Sequence, residues 1–133
     1  MKLLSGVAVL TLLTMPVFAE GDADKGEKDF KKCKSCHMIA ADNGDVIQKG
    51  GKTGPNLYGV VGRAVASADF KYSSALTGLG EAGMVWDEEK IAQFVADPSG
   101  FVSDNGGSGR SKMSFKLNKG GEDIAAYLAS VAQ

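Results

Sequence analysis

The chain has 133 residues, of which 44% are hydrophobic and 23% are charged, a balance that predicts one globular domain and argues against disorder. Its 15 basic and 16 acidic residues leave a formal net charge of -1, so the whole chain lacks the cationic excess of proteins that bind nucleic acid non-specifically. Two cysteines and one histidine exclude a multi-disulfide scaffold and any site that needs two imidazoles from one chain.

The first 19 residues have the pattern of an export signal. Lys2 precedes an uncharged run over residues 3–16, which is followed by a small-x-small tripeptide at residues 17–19. An uncleaved membrane anchor is the alternative, but the run is shorter than the ~20 apolar residues that span a bilayer. We therefore expect cleavage after Ala19, export to the periplasm and a single mature domain, residues 20–133.

The mature chain predicts short helices joined by long loops. Asp22 is a suitable N-cap for a first helix, in which small and apolar residues recur at spacings of three and four up to Cys33. The stretch from Met38 to Ala68 is rich in glycine and polar residues and has no sustained alternation of apolar and polar positions. We expect a loop there, with at most short turns.

Two helices are indicated in the middle of the chain. A short one covers residues 73–79, and a clearer one begins at an acidic run that starts with Asp87. The inward face of the second consists of Ile91, Phe94 and Val95. Pro98 is expected to end this helix, and residues 99–116 lack periodicity and are predicted as a loop.

The last predicted helix runs from about Lys119 to Val131, with Asn118 as its N-cap. Its apolar residues recur at i, i+3, i+4 and i+7. Because no strand pattern competes, the predicted class is all-α. Helices this short bury little surface, so we expect another group to fill the core.

Residues Cys33 to His37 form a C-x-x-C-H sequence, the pattern for covalent attachment of c-type haem. Two thiols at this spacing can each form a thioether with one vinyl group of the porphyrin, while the adjacent imidazole is held at the iron. The alternatives are a redox-active dithiol, which needs a βαβ pattern, and tetrahedral zinc, which needs four ligands. The motif predicts one haem c attached through Cys33 and Cys36, with His37 as an axial ligand.

The second axial ligand cannot be another histidine of this chain, because His37 is the only one. Met38 directly follows the first ligand, and Met84 lies just before a helix cap, where core packing is an ordinary role for methionine. Met113 lies in the aperiodic loop, where a ligand role explains it better. We favour Met113 as the second metal ligand, with Met84 and an open or lysine-ligated iron as alternatives.

The chain resembles the class I cytochromes c, in particular the large bacterial type of cytochromes c2 and c-550. The likeness covers essentially the whole mature chain and rests on four segments: CKSCH at 33–37, TGPNL at 53–57, KMSF at 112–115 and EDIAAYL at 122–128. The resemblance implies a class I cytochrome c fold, in which three to five short helices and long loops surround one covalently bound haem.

The resemblance also implies roles for individual residues. The Pro55 carbonyl would accept a hydrogen bond from His37, and Arg63, Tyr72 and Trp86 match positions near the haem propionates. For Tyr72 and Trp86, ordinary core packing is the alternative. In the first helix, Gly26 and Phe30 would pack where it crosses the last helix, against Tyr127 and Leu128.

Two departures from the family pattern remove polar groups from the haem pocket. Phe94 stands where many relatives have a tyrosine near the methionine sulfur, and Leu76 replaces a common polar residue. The fine tuning of the reduction potential therefore cannot be transferred from the family to this chain.

An iron with histidine and methionine on both axial positions has no open site for a substrate, so the expected function is electron transfer rather than catalysis. The resemblance implies shuttling between membrane complexes, a cytochrome bc1 complex on one side and a photosynthetic reaction centre or terminal oxidase on the other. We expect a monomer. A haem enzyme or gas-binding sensor with an open iron is the alternative function.

Three windows of the chain without acidic residues contain most of the basic residues expected around the haem. These residues are Lys31, Lys32, Lys34, Lys49, Lys52, Arg63, Arg110, Lys112, Lys116 and Lys119. Acidic residues gather instead at the start of the Asp87 helix and at the termini. We expect a cationic docking face for acidic partners, with scattered solvated lysines as the alternative.

Overall fold

Five helices carry the fold in this computed structural model, which describes residues 10–11 and 21–132. They are α1 (Ala23–Asp29), α2 (Ser74–Glu81), α3 (Glu88–Ala96), α4 (Pro98–Asp104) and α5 (Gly121–Ser130). A 3-10 turn, Phe30–Lys32, continues α1. In those described ranges, no helix is long and apolar enough to cross a membrane. Apart from residues 10 and 11, the expected signal sequence with its cleavage point after Ala19 lies outside them.

Three helices begin where the sequence predicts, at side chains that accept hydrogen bonds from free backbone N–H groups. Asp22 accepts from Asp24 N at 3.0 Å, Ser73 from Leu76 N at 3.2 Å and Asp87 from Lys90 N at 2.7 Å. The expectation for α5 is wrong in its first residues, because Gly120 rather than Asn118 is the N-cap. Gly120 has φ of +91°, a conformation that favours glycine.

A small antiparallel hairpin, β1 (Ile39–Ala40) and β2 (Val46–Gln48), interrupts the stretch predicted as loop. Ile39 pairs with Gln48 and Ala40 with Val46, with an irregular register between them. Strands of two and three residues are too short to show alternation, which is why the sequence pattern gave no sign of them. The hairpin does not change the all-α class, and five short helices joined by long loops agree with the predicted architecture.

Helix α4 corrects the prediction that Pro98 only ends α3 and that residues 99–116 form a loop. Pro98 is the first residue of α4, a position where its missing N–H costs nothing. The Asp97 carboxylate accepts a hydrogen bond from Gly100 N at 3.1 Å. Pro98 therefore both ends one helix and begins the next.

Helices α1 and α5 cross in direct contact, as the resemblance implies. Gly26 is buried in the crossing, where a Cβ atom would lie 1.9 Å from the Asp123 carbonyl oxygen. The rings of Phe30 and Tyr127 meet edge to face with their centroids 5.8 Å apart. Asp123 is buried, with 7% of the residue exposed, and its side chain accepts a hydrogen bond from Asp22 N at 2.8 Å. The crossing joins the segment before Cys33 to the C-terminal helix.

Replacing Gly26 by alanine is expected to lower the free energy of unfolding by about 3 kcal/mol, because the new methyl group must displace backbone atoms of α5. Urea titration of the haem-containing protein measures the loss. Gly78→Ala is the matched control. Gly78 lies in α2, where an added Cβ atom would meet no other part of the protein within 4 Å, so alanine should raise stability by about 0.5–1 kcal/mol. Equal effects of the two changes would contradict close packing at the crossing.

Candidate functional site

The His37 imidazole is buried and held in one orientation. The backbone N–H of His37 donates to the Cys33 carbonyl at 2.9 Å, which closes a turn directly after the 3-10 segment. Its Nδ1 lies 2.8 Å from the Pro55 carbonyl oxygen, and since a carbonyl can only accept, Nδ1 carries the proton. Burial lowers the pKa of His37, opposed by the Pro55 hydrogen bond. The ring is thus neutral with a lone pair on Nε2, the form that binds a metal.

The segment containing Gly50, Gly51 and Gly54 packs against the turn that bears the cysteines and His37. Gly51 N donates to the Lys34 carbonyl and Gly54 N to the Cys36 carbonyl, at 2.9 and 2.8 Å. A Cβ on Gly54 would lie 2.4 Å from Cε1 of His37. Only glycine allows the chain to approach the ring this closely, so this segment fixes the imidazole from one side.

The two cysteines have different surroundings and are not joined in a disulfide. Burial, followed by the neighbouring Cys36, raises the pKa of Cys33 to about 11. Cys36 is exposed, and hydrogen bonds from the Thr53 and Ser35 hydroxyls lower its pKa. Cys36 is therefore the more readily ionised of the two thiols.

A cavity of about 330 Å³ opens beside this turn, and the residues predicted to attach and ligate the haem lie in its wall. Cys33, Cys36 and His37 line it together with Met113. Most of the remaining wall is apolar and comes from the loop after the hairpin, from α2 and α3, and from α5. Its apolar side chains include Leu57, Val60, Leu76, Ile91, Phe94, Val95, Ile124 and Leu128.

The polar residues assigned to the propionates by resemblance also line this cavity. Both Arg63 Nη atoms donate to backbone carbonyls, at 3.1 Å to Tyr58 and 3.3 Å to Asn56. Arg63 Nε is buried with no hydrogen-bond partner. A buried donor without an acceptor is costly, and a carboxylate in the cavity would satisfy it. This unpaired donor fits a haem, whose propionates supply such oxygens.

Tyr72 and Trp86 have different surroundings at the cavity wall. The Tyr72 hydroxyl accepts a hydrogen bond from Ala68 N at 3.2 Å, which leaves its own proton free to donate. The Trp86 ring stacks on Phe101 with a centroid distance of 5.5 Å and meets Phe94 edge to face at 5.2 Å. Trp86 thus has a packing role, which is the alternative that the sequence analysis gives for this residue.

The three candidate methionines differ in their position relative to the cavity. Met113 lines the cavity, whereas Met38 and Met84 do not. Met84 packs against the hydrophobic core, and its backbone forms hydrogen bonds with Leu79 and Val65. The two residues that depart from the family pattern, Phe94 and Leu76, contribute apolar side chains to the cavity wall.

Basic side chains flank the cavity-lining residues along the chain. Lys32 precedes Cys33, Lys52 precedes Thr53, and Lys116 follows Phe115, and all three lysines are exposed. Lys112 lines the cavity itself. The basic windows thus border the cavity at several points.

Sequence reasoning missed two hydroxyl residues at the site. Thr53, which lines the cavity beside Cys36, belongs to the TGPNL segment, but no spacing rule assigns its hydroxyl a partner. Ser111 accepts a hydrogen bond from Met113 N at 3.1 Å. In the sequence, the signal that could have identified Ser111 is its position directly before Lys112 and Met113.

Comparison with known proteins places the chain among bacterial c-type cytochromes. No protein-family model matches it. Cytochrome c-551 from Roseobacter denitrificans is 53% identical over 98% of this chain and 96% of its own length. Cytochrome c2 from Rhodobacter capsulatus is 50% identical over 99% of this chain and 98% of its own length.

Solved structures agree. Cytochrome c2 from Rhodobacter capsulatus aligns with a TM-score of 0.79 and 55% identity, over 84% of this chain and 98% of that one. Ferric cytochrome c-550 from Paracoccus versutus aligns with a TM-score of 0.80 and 48% identity, over 84% and 98%. With these relatives and the C-x-x-C-H motif together, the chain belongs to the cytochrome c2 and c-550 group of class I cytochromes c, whose prosthetic group is covalently bound haem c.

Proposed function

We propose that this cytochrome is a one-electron carrier in which Cys33 and Cys36 attach the haem and His37 and Met113 ligate its iron. The observation that carries the proposal is the shared cavity. The only histidine of the chain and one methionine line it, while Met38 and Met84 lie elsewhere. When bound, haem supplies an iron that takes up and releases a single electron.

Several residues of the cavity have a distinct part in this function. His37 presents the Nε2 lone pair, because its Nδ1 proton is held by the Pro55 carbonyl. Met113 contributes a thioether, a ligand that raises the reduction potential. Two side-chain ligands leave no position for a substrate, which supports a carrier rather than an enzyme or gas sensor. Arg63, with Tyr72 and Trp86, supplies donors for the propionates.

The proposed setting is the periplasm. The export signal predicted in residues 1–19 supports it, with cleavage after Ala19 and residues 20–133 as the mature, monomeric domain. By resemblance, the partners are a cytochrome bc1 complex as donor and a photosynthetic reaction centre or terminal oxidase as acceptor. The net charge of -1 gives no support to nucleic acid as a partner.

The proposed docking face consists of the exposed lysines that border the cavity: Lys32, Lys52, Lys112 and Lys116. Their individual contacts differ. Lys116 Nζ lies 3.5 Å from an Asp97 carboxylate oxygen, and Lys112 Nζ donates to the Lys71 carbonyl at 2.7 Å. In the part of the chain that the structure describes, Lys32 and Lys52 have no salt bridge. These two lysines therefore give the clearest test of the docking charge.

Replacing Met113 by alanine is expected to abolish the thioether-to-ferric-iron absorption band and to lower the potential by more than about 59 mV, a tenfold change for a one-electron couple. Optical spectra and potentiometric titration measure both effects. Met84→Ala is the control and should keep the band, because Met84 packs in the core. Loss of the band in the Met84 variant alone would transfer the ligand role to Met84.

Replacing Lys32 or Lys52 by glutamate should slow association with a purified cytochrome bc1 complex by roughly two- to fivefold at low salt, because charges at the edge of an interface steer encounter. The effect should shrink near physiological salt, where the Debye length is about 8 Å. Stopped-flow kinetics over a salt series measures it.

Lys90→Glu is the matched control for this charge reversal. Lys90 also precedes a cavity-lining residue, Ile91, but its Nζ is paired with Asp87 at 2.8 Å at the start of α3, among the acidic residues. Because this pairing compensates its charge, its replacement should leave the rate nearly unchanged. Equal losses from Lys90 and Lys52 would show that only the net charge matters and that no oriented docking face exists.

A further inference from the structure

Met113 lies in a segment without regular secondary structure. We call residues 105–120, between α4 and α5, the Met113 loop. Met113 contributes both to the wall of the 330 Å³ cavity and to the wall of a second cleft of about 460 Å³. The loop contains no helix or strand, so no regular ladder of backbone hydrogen bonds fixes its main chain. Individual hydrogen bonds must supply the constraint.

A first set of hydrogen bonds links the loop to α4. The Ser99 hydroxyl, in the first turn of α4, accepts from Ser111 N at 3.2 Å. The Ser111 hydroxyl accepts in turn from Met113 N at 3.1 Å. Both donors are backbone N–H groups, so these bonds fix the main chain directly at the thioether-bearing residue. Ser99 and Ser111 are half-buried, which limits competition from water.

A second hydrogen bond links the loop to the segment before α2. Lys112 Nζ donates to the Lys71 carbonyl oxygen at 2.7 Å, between residues 41 positions apart. Lys71 lies between Phe70 and Tyr72, which both line the cavity and meet edge to face with centroids 5.1 Å apart. The charged donor makes this bond stronger than a neutral one. Lys112 thus connects the Met113 loop to the part of the wall that contains Tyr72.

We propose that Ser99, Ser111 and Lys112 are positioning residues that hold the Met113 sulfur at the iron, with α4 as the fixed support. The inference rests on the proposed role of Met113 as axial ligand. It gives Lys112 a second role besides its charge on the docking face. It also gives the 98–104 segment, which forms α4, a function in ligand retention.

Exogenous imidazole tests the inference, because it competes with Met113 for ferric iron. In the haem-containing protein, Ser111→Ala and Lys112→Met should each raise the affinity for imidazole by about three- to tenfold, the range expected for one lost hydrogen bond. Optical titration measures the affinity. Ser111→Thr and Lys112→Arg keep a hydroxyl and a cation and should restore a value close to that of the unmodified protein.

Lys116→Met is the matched control, since Lys116 belongs to the same loop but pairs with Asp97 instead, and the affinity should stay within about twofold. Ser99→Ala tests the first set of bonds from the α4 side if Ser111→Ala folds poorly, and it should also raise the affinity. Unchanged affinity in the Ser99, Ser111 and Lys112 variants, with tighter binding in Met113→Ala, would overturn the positioning role alone. Equally tight binding by the unmodified protein and Met113→Ala would overturn the ligand role as well.

Discussion

The hydrogen bond from His37 Nδ1 to the Pro55 carbonyl, 2.8 Å long, is the constraint on which the site depends. It fixes the tautomer and the direction of the ring, so that Nε2 is the free nitrogen. The turn from Cys33 to His37 can hold this position only because Gly54 approaches the ring with no side chain of its own. One short segment therefore sets both the attachment points of the haem and the direction of the imidazole that we propose as its first ligand.

The rest of the structure builds a largely apolar wall beside that ring. The α1–α5 crossing closes behind the cysteine turn, and α3 contributes Phe94 to an aromatic cluster with Trp86 and Phe101. Electrostatic interactions inside an apolar wall are stronger than in water. The buried, unpaired Nε of Arg63 would therefore interact strongly with a carboxylate placed in the cavity. The hairpin is tied to this frame through Gln48, whose side chain donates to the Tyr127 hydroxyl at 2.9 Å.

Sequence analysis identified what short continuous patterns encode: the C-x-x-C-H motif, the helix caps at Asp22 and Asp87 and the apolar face of α5. It failed where distant residues decide the structure. The hairpin depends on Asn56, whose amide forms hydrogen bonds to both the N–H and the carbonyl of Ala40. Helix α4 is a different case, because its signals, Asp97 as N-cap and Pro98 at the first position, are local but were interpreted only as the end of α3. The contacts of Ser111 and Lys112 join segments that no local pattern relates, so their part at the site could not be predicted.

In the function that we propose, two side chains of this protein occupy both axial positions of the iron, and Met113 opposes any external ligand. Exposure of the ferrous protein to carbon monoxide at neutral pH tests it most directly, because carbon monoxide binds ferrous haem wherever a position is open. The account predicts that the absorption spectrum stays unchanged at neutral pH. A complete and rapid spectral shift to a carbon monoxide complex would show an open iron and contradict the account.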